Sequence, residues 1–246
     1  MKKLFLSAAV FFFSAFIITS EEITFSADSM TGTAGSKTDT TVLSGDASVK
    51  TDSMEIKADS IELSGEDFRY ITAEGNISGS LTESQMDFTC GKLTYDRKTE
   101  IARLEDSVHL VDKANDVTAN AQFIEYNQKK ETAIMQIEIT LKQKDNTCTS
   151  AFAIYKKAEQ LLEMSGNPKI IQGEDSFRAQ EITLNLDSQE ITLDGRVRGT
   201  VTDSKKEKKE ETLPPEETQT PETTGNPENP GTPPDEEPQN NMNGEQ

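Results

Sequence analysis

The chain has 246 residues, a formal net charge of -19 at pH 7, one histidine and two cysteines. That acidity excludes a nucleic-acid binder, which needs a basic stripe, and a protein that docks on anionic lipid headgroups. Two cysteines do not make a disulfide scaffold, and the roughly 180 residues between an apolar start and a proline-rich end suffice for one domain with a sizeable core.

Met1-Lys2-Lys3 leads into Leu4 to Ile18, almost wholly apolar, which ends at Thr19-Ser20-Glu21-Glu22. A charged start, an apolar middle and a polar exit read as a secretory signal over residues 1–20. The apolar run is shorter than the about 20 residues that a membrane span needs, so cleavage is expected, with an uncleaved anchor as the alternative. No cysteine lies near the exit, which excludes a lipoprotein anchor, and no later stretch is apolar enough to span a membrane as a helix. The expected location is the periplasm.

From residue 21 to 201 one pattern recurs. Met54, Ile56 and Ala58 alternate with Glu55, Lys57 and Asp59, and Ile61 and Leu63 alternate with Glu62 and Ser64. Period two marks a half-buried strand. The phase slips between Ala58 and Ile61, as at a bulge or corner. Similar stretches open at Ile23, Met86, Val117, Ser150 and Phe177. With Ala27, Ala58, Cys90, Ala119, Ala151 and Ala179 taken as equivalent, the spacings are 31, 32, 29, 32 and 28 residues. A half-repeat accompanies them: SerGlyAspAlaSerVal (44–49), GluGlyAsnIleSer (74–78), GluAspSerValHis (105–109), SerGlyAsnProLys (165–169) and AspGlyArgValArg (194–198). A period near 30 residues is the mark of a repeat protein. The small residue suggests a tight inward corner.

In chain order, Thr31 to Thr41 reads as a hydrophilic loop. Polar turns follow at Asp96–Thr99, Asn127–Lys130 and Asp187–Gln189, all at the same phase, as hairpin corners do. Ala151 to Met164 carries helix-friendly residues. The repeat grid nevertheless aligns it with the preceding unit and predicts strand–turn–strand, because consistency across repeats outranks local propensity. Cys90 reads as a small buried filler, and a Cys90–Cys148 bridge requires two non-adjacent rungs to come close. Eight of the nine prolines lie after residue 202, in a segment rich in Glu, Thr and Asn that cannot form a core; 202–246 is predicted to be disordered.

Catalytic chemistry is missing. His109 sits in an alternating strand run and reads as a solvent-face residue. There is no nucleophile elbow, metal-ligand cluster or phosphate loop. Asp28 and Asp59 recur after the small residue. Their recurrence suggests a structural corner role, accepting turn N–H bonds or facing water, and calcium at stacked aspartates is the weaker alternative. No enzyme, cofactor or metal site is expected.

The predicted architecture is therefore all-β: about 12–16 stacked antiparallel strands with an apolar inner face. Ile56, Ile61, Leu63, Ile71, Ile77, Phe88, Leu93, Tyr95 and Ile101 should face inward. If the walls touch, these residues form an ordinary core; if the walls splay, they line a groove for acyl chains. The end rungs, around Ile23 and Phe25 and around Ile191, Leu193, Val197 and Val201, should leave unpaired edges that invite another strand.

Ile-Lys-Ala-Asp-Ser-Ile (56–61), Ile-Thr-Ala-Glu-Gly-Asn-Ile (71–77), Phe25-Ser-Ala-Asp-Ser-Met30, Val117-Thr-Ala-Asn-Ala-Gln122 and Leu193-Asp-Gly-Arg-Val197 resemble the repeat of the OstA-like/LptA family. The resemblance covers about residues 21–201. It implies a V-shaped β-jellyroll and a periplasmic carrier of lipopolysaccharide or a related glycolipid, within a bridge of jellyrolls joined edge to edge. The nine inward residues are then the lipid-binding candidates. The amino-terminal rung would pair with an inner-membrane-side jellyroll and the carboxy-terminal rung with an outer-membrane-side one. Head-to-tail homo-oligomers could form through the same edges. The sequence departs from the pattern where Asp106 and Ile137-Glu138 replace an expected glycine, where unit five lacks its aspartate, and in the acidic tail. The rival reading is a structural or adhesive envelope solenoid without lipid cargo.

Overall fold

The computed structural model describes residues 22–32 and 40–202. The expected signal, the middle of the first loop (33–39) and the tail beyond Thr202 lie outside these residues. The described chain forms one 16-stranded sheet. Its strands are β1 (Thr24–Ser26), β2 (Ser29–Gly32), β3 (Thr40–Lys50), β4 (Met54–Ser64), β5 (Tyr70–Leu81), β6 (Met86–Asp96), β7 (Ile101–Asp112) and β8 (Val117–Asn127). There follow β9 (Thr132–Gln143), β10 (Asn146–Lys156), β11 (Leu161–Ser165), β12 (Lys169–Gln172), β13 (Asp175–Arg178), β14 (Glu181–Asn185), β15 (Ile191–Asp194) and β16 (Arg198–Thr200). The order is an antiparallel meander in which β3 to β10 each pair with their sequence neighbours. The stretch 151–164 is strand–turn–strand, as the repeat grid predicts.

The strands β3 to β10 are longer than single rungs and bend at mid-length. Register slips at the bends, for example between Lys57 and Ser60 and between Glu105 and Val108. The stacked bends form a crease that folds the sheet into two walls. The first wall runs from β1 to β16 and the second from β2 to β15. Beyond β10 the bend becomes a break, so β11/β12, β13/β14 and β15/β16 each make one row. Opposite the crease lie the turns of both walls. They stack by backbone bonds such as Thr82 N–H to Ser53 O and Lys113 N–H to Gln85 O on one wall, and Arg97 N–H to Arg69 O and Gln128 N–H to Glu100 O on the other.

The crease has a chemical rule. On every second row two consecutive residues adopt left-handed backbone: Gly45-Asp46, Gly75-Asn76, Asp106-Ser107, Ile137-Glu138, Gly166-Asn167 and Gly195-Arg196. These are the half-repeats of the sequence, and they include the sites where glycine was expected and is absent. Room for the pair comes from the preceding row. A Cβ on Gly75 would collide with the Asp59 side chain, and Asn76 Nδ2 donates to Asp59 Oδ2 at 2.9 Å. At Asp106 the roles are exchanged: the glycine is Gly91, on the facing row. At Gly166 the facing residue is Ala151, which accounts for the missing aspartate of unit five.

Two readings need correction. The structural equivalents of Ala58 and Cys90 are Ala121, opposite Val108, and Ser150, opposite Ile139, rather than Ala119 and Ala151. Alternation through the bend was counted without its extra residues, which shifts the phase. Ile101 is also out of phase: it is half-buried, while its neighbours Ala102 and Leu104 take the inner positions at 0% exposure.

Candidate functional site

The interior between the walls is apolar from end to end. Ile56, Ile61, Leu63, Ile71 and Leu93 are fully buried, Tyr95 is 1% exposed and Ile77 and Phe88 2%. They belong to one core cluster that runs from Leu43 to Leu186. Burying these side chains is what holds two thin walls together, at about 1.5–3 kcal/mol for each large residue. The walls touch. The structure therefore brings eight of the nine predicted interior residues into one place and leaves Ile101 at its outer side.

The rim of this interior, opposite the crease, is polar. Among the described residues, the buried polar side chains are Thr41, Thr51, Ser84, Asp112, Gln128, Gln143, Asn146 and Lys157. All lie at turns or strand ends where the two walls meet. Hydrogen bonds cross the meeting line at a regular interval. Ser53 Oγ and the Tyr95 hydroxyl are 3.1 Å apart, and the Tyr126 hydroxyl donates to Ser84 Oγ at 3.0 Å. The Tyr155 hydroxyl donates to Asp112 Oδ2 at 2.9 Å, beside the Lys157 Nζ to Asp112 Oδ1 ion pair at 2.5 Å. Gln143 Nε2 donates to Leu186 O at 3.1 Å, and Asn146 bonds Gln189. Asn115 completes the Asp112 cluster, with Nδ2 donating to Asp112 Oδ2 and to the Tyr155 hydroxyl. Burial and the Asp112 carboxylate raise the Tyr155 hydroxyl pKa well above its ordinary value, so it is a donor at any physiological pH.

The seam is where sequence reading fell short. Only Tyr95 of its members was singled out, and as an interior residue. The available signal was that Tyr95, Tyr126 and Tyr155 each end a strand just before a polar turn. Ser53, Ser84 and Lys157 lie in turns and Asp112 ends a strand, where alternation does not show direction.

The predicted edge residues lie on terminal rows. Phe25 is 46% exposed, Val197 53% and Val201 71%, whereas Ile23, Ile191 and Leu193 are half-buried and pack on the core. Among the described residues, strand β1 pairs only with β3, β15 only with β14 and β16 only with β13, so both ends of the described meander present a strand side that no other described strand covers. At β15 its direction can be read. Asn185 N–H donates to Glu190 O. The bonded pairs then alternate through Thr183/Thr192, which leaves the N–H groups of Ile191 and Leu193 facing outward.

Cys90 and Cys148 are free and buried. Both stand on the first wall, four strand spacings apart, or about 19 Å, too far for a disulfide. Burial pushes both thiols up to about 12. His109 lies on the exposed face, with Nδ1 2.9 Å from Asn120 Oδ1. Among the described residues no group of three His, Cys, Asp or Glu is placed to hold a metal, and no helix is long and apolar enough to cross a membrane.

A family described as "LptA/(LptD N-terminal domain) LPS transport protein" matches residues 24–151 and 131–190. Among solved structures, the crystal structure of LptH, described as the LptA homologous periplasmic component of the conserved lipopolysaccharide transport device from Pseudomonas aeruginosa, aligns at 11% identity. That alignment covers 74% of this chain and 96% of that chain, with a TM-score of 0.23. A search of curated proteins finds no match.

Proposed function

Because this chain belongs to the LptA/LptD N-terminal-domain family of periplasmic, non-catalytic lipopolysaccharide transport proteins, we propose that it holds the acyl chains of lipopolysaccharide, or of a related glycolipid, between its walls and passes them from the inner to the outer membrane. The observation that carries this reading is the apolar interior, which is continuous through the described rows while, among the described residues, both end rows keep a strand side without a partner strand. A continuous interior gives acyl chains a path, and each CH₂ buried there contributes about 0.8 kcal/mol. The free strand sides suit pairing with jellyrolls of neighbouring bridge proteins, β1 toward the inner-membrane side and β15 and β16 toward the outer. A second copy of the chain is a further partner for the same edges.

Photo-crosslinking residues at Ile77, Phe88 and Tyr95 in cells test the cargo. Adducts with glycolipid are expected. Adducts with protein alone would overturn the carrier reading. They would favour a structural or adhesive envelope solenoid, which the closed packing of the interior also suits.

A further inference from the structure

We propose that the row of hydrogen bonds joining the walls is a seam that parts in two separately latched sections, with Asp112, Lys157 and Tyr155 as the clasp between them. This rests on the carrier reading above and adds how the interior is opened.

The interior is shut off from water in the closed form: Ile56 and Cys148 are at 0% exposure. Admitting a chain of CH₂ groups therefore requires the walls to separate. The crease is continuous backbone, bonded row to row, and cannot part without breaking the sheet. Across the opposite side the hydrogen bonds, from Ser53–Tyr95 to Asn146–Gln189, each involve at least one side chain. These bonds are unequal. Before the clasp, the bonds that cross from wall to wall join neutral hydroxyls, Ser53 to Tyr95 and Ser84 to Tyr126, with Gln128 Nε2 also donating to the Tyr95 hydroxyl from its own wall. At the clasp, one carboxylate of zero exposure takes an ammonium, a phenol and an amide at once. Charge-assisted bonds out of water are the stronger kind, and parting the walls here breaks two of them at one carboxylate. Beyond the clasp the contacts are again neutral amides, from Gln143 and Asn146. Gln128 Oε1 and Asn146 Oδ1 are buried without a partner, one on each side of the clasp, so neither section is fully satisfied when shut. Weak, strong, weak is the order of a slot that opens locally on either side of a fixed point.

Two interior thiols read the two sections. Native Cys148 lies beyond the clasp, and Ile56→Cys in a Cys90→Ala background lies before it. Reaction with dithionitrobenzoate, located by peptide mass, follows the fraction open. Tyr95→Phe and Tyr126→Phe remove one hydroxyl each and keep the packing. Each should speed labelling at position 56 by about five-fold and leave Cys148 unchanged. Lys157→Met, which leaves the buried Asp112 carboxylate without its ammonium, should speed Cys148 by more than about ten-fold and bring the two sites to similar rates. If that variant fails to fold, Tyr155→Phe gives the same test with a smaller change. Equal labelling of both sites in every variant, in step with global unfolding, would overturn the seam. Purified lipopolysaccharide then separates the two ideas. If it binds and protects both thiols while the variants leave labelling unmoved, the gate fails and the carrier stands; if it does not bind although the sections open as described, the carrier fails.

Discussion

Asp106 lies over Gly91 so closely that a Cβ on that glycine would be 2.8 Å from the Asp106 Cβ. At two other rows the glycine is on the left-handed side and the carboxylate faces it, Gly45 with Asp28 and Gly75 with Asp59. The pair conserves volume and exchanges sides. Gly91→Ala should therefore cost about 1–3 kcal/mol in urea unfolding, because the new methyl meets the Asp106 side chain at its Cβ, which cannot swing aside. Adding Asp106→Gly should recover most of that loss, since glycine also suits the left-handed backbone there. Simple additivity of the two substitutions would show that the residues do not share the space.

Ile137 is the β-branched member of the left-handed set, at φ 65°, and its facing residue Gln122 is no glycine either. Left-handed backbone costs a side chain of this kind about 1–2 kcal/mol. Its side chain is 56% exposed, so little packing offsets the strain. Ile137→Asn is expected to raise the thermal midpoint by a few degrees, whereas an unchanged or lowered midpoint would mean that Ile137 makes a compensating contact.

Arg69 donates two hydrogen bonds to Asp96, at 2.8 and 2.6 Å, and these hold the Asp96 carboxyl well below its ordinary value of 3.8. A carboxyl depressed in the folded state stabilises the fold above the unfolded value and loses that contribution as pH falls through the folded one. The loss should begin below about pH 5 and grow toward pH 2. In Asp96→Asn the acid-dependent part due to this group disappears, and the stability curve from pH 5 downward should be flatter than in the parent. Identical curves would remove the assignment.

Proline at Leu193 removes an N–H that faces away from the sheet, whereas proline at Thr192 removes one bonded to β14. Leu193→Pro should therefore keep the fold by circular dichroism and lose pull-down of a jellyroll partner on the β15 side. Thr192→Pro should destabilise the fold itself. Equal partner recovery by parent and Leu193→Pro would move the carboxy-terminal contact off this edge.

Much of the fold was legible because its period is local. Alternation in 54–64 and its echoes fix which residues point inward, and the glycine-bearing half-repeats mark where the chain turns its left-handed pair. What a single strand cannot show is its partner's offset. The bends insert residues, so alternation alone points to Ala119 where Ala121 belongs, and turns Ile101 inward where Ala102 holds that position. The seam was least legible, because Ser84 and Asp112 meet Tyr126 and Tyr155 only through contacts 42 and 43 residues apart in sequence. Even the closure of the walls, on which the choice between core and groove rests, is a property of the folded pair.

The meander adds one row at a time, and no row skips its neighbour. The described residues make twelve rows, eight unbroken strands and four broken pairs, which span about 53 Å at the usual strand spacing. Reach is then proportional to copy number: each further unit of near 30 residues supplies two rows and about 10 Å. The protein is a ruler graduated by its own repeats, and the distance it covers can be lengthened or shortened by whole units without redesigning the cross-section.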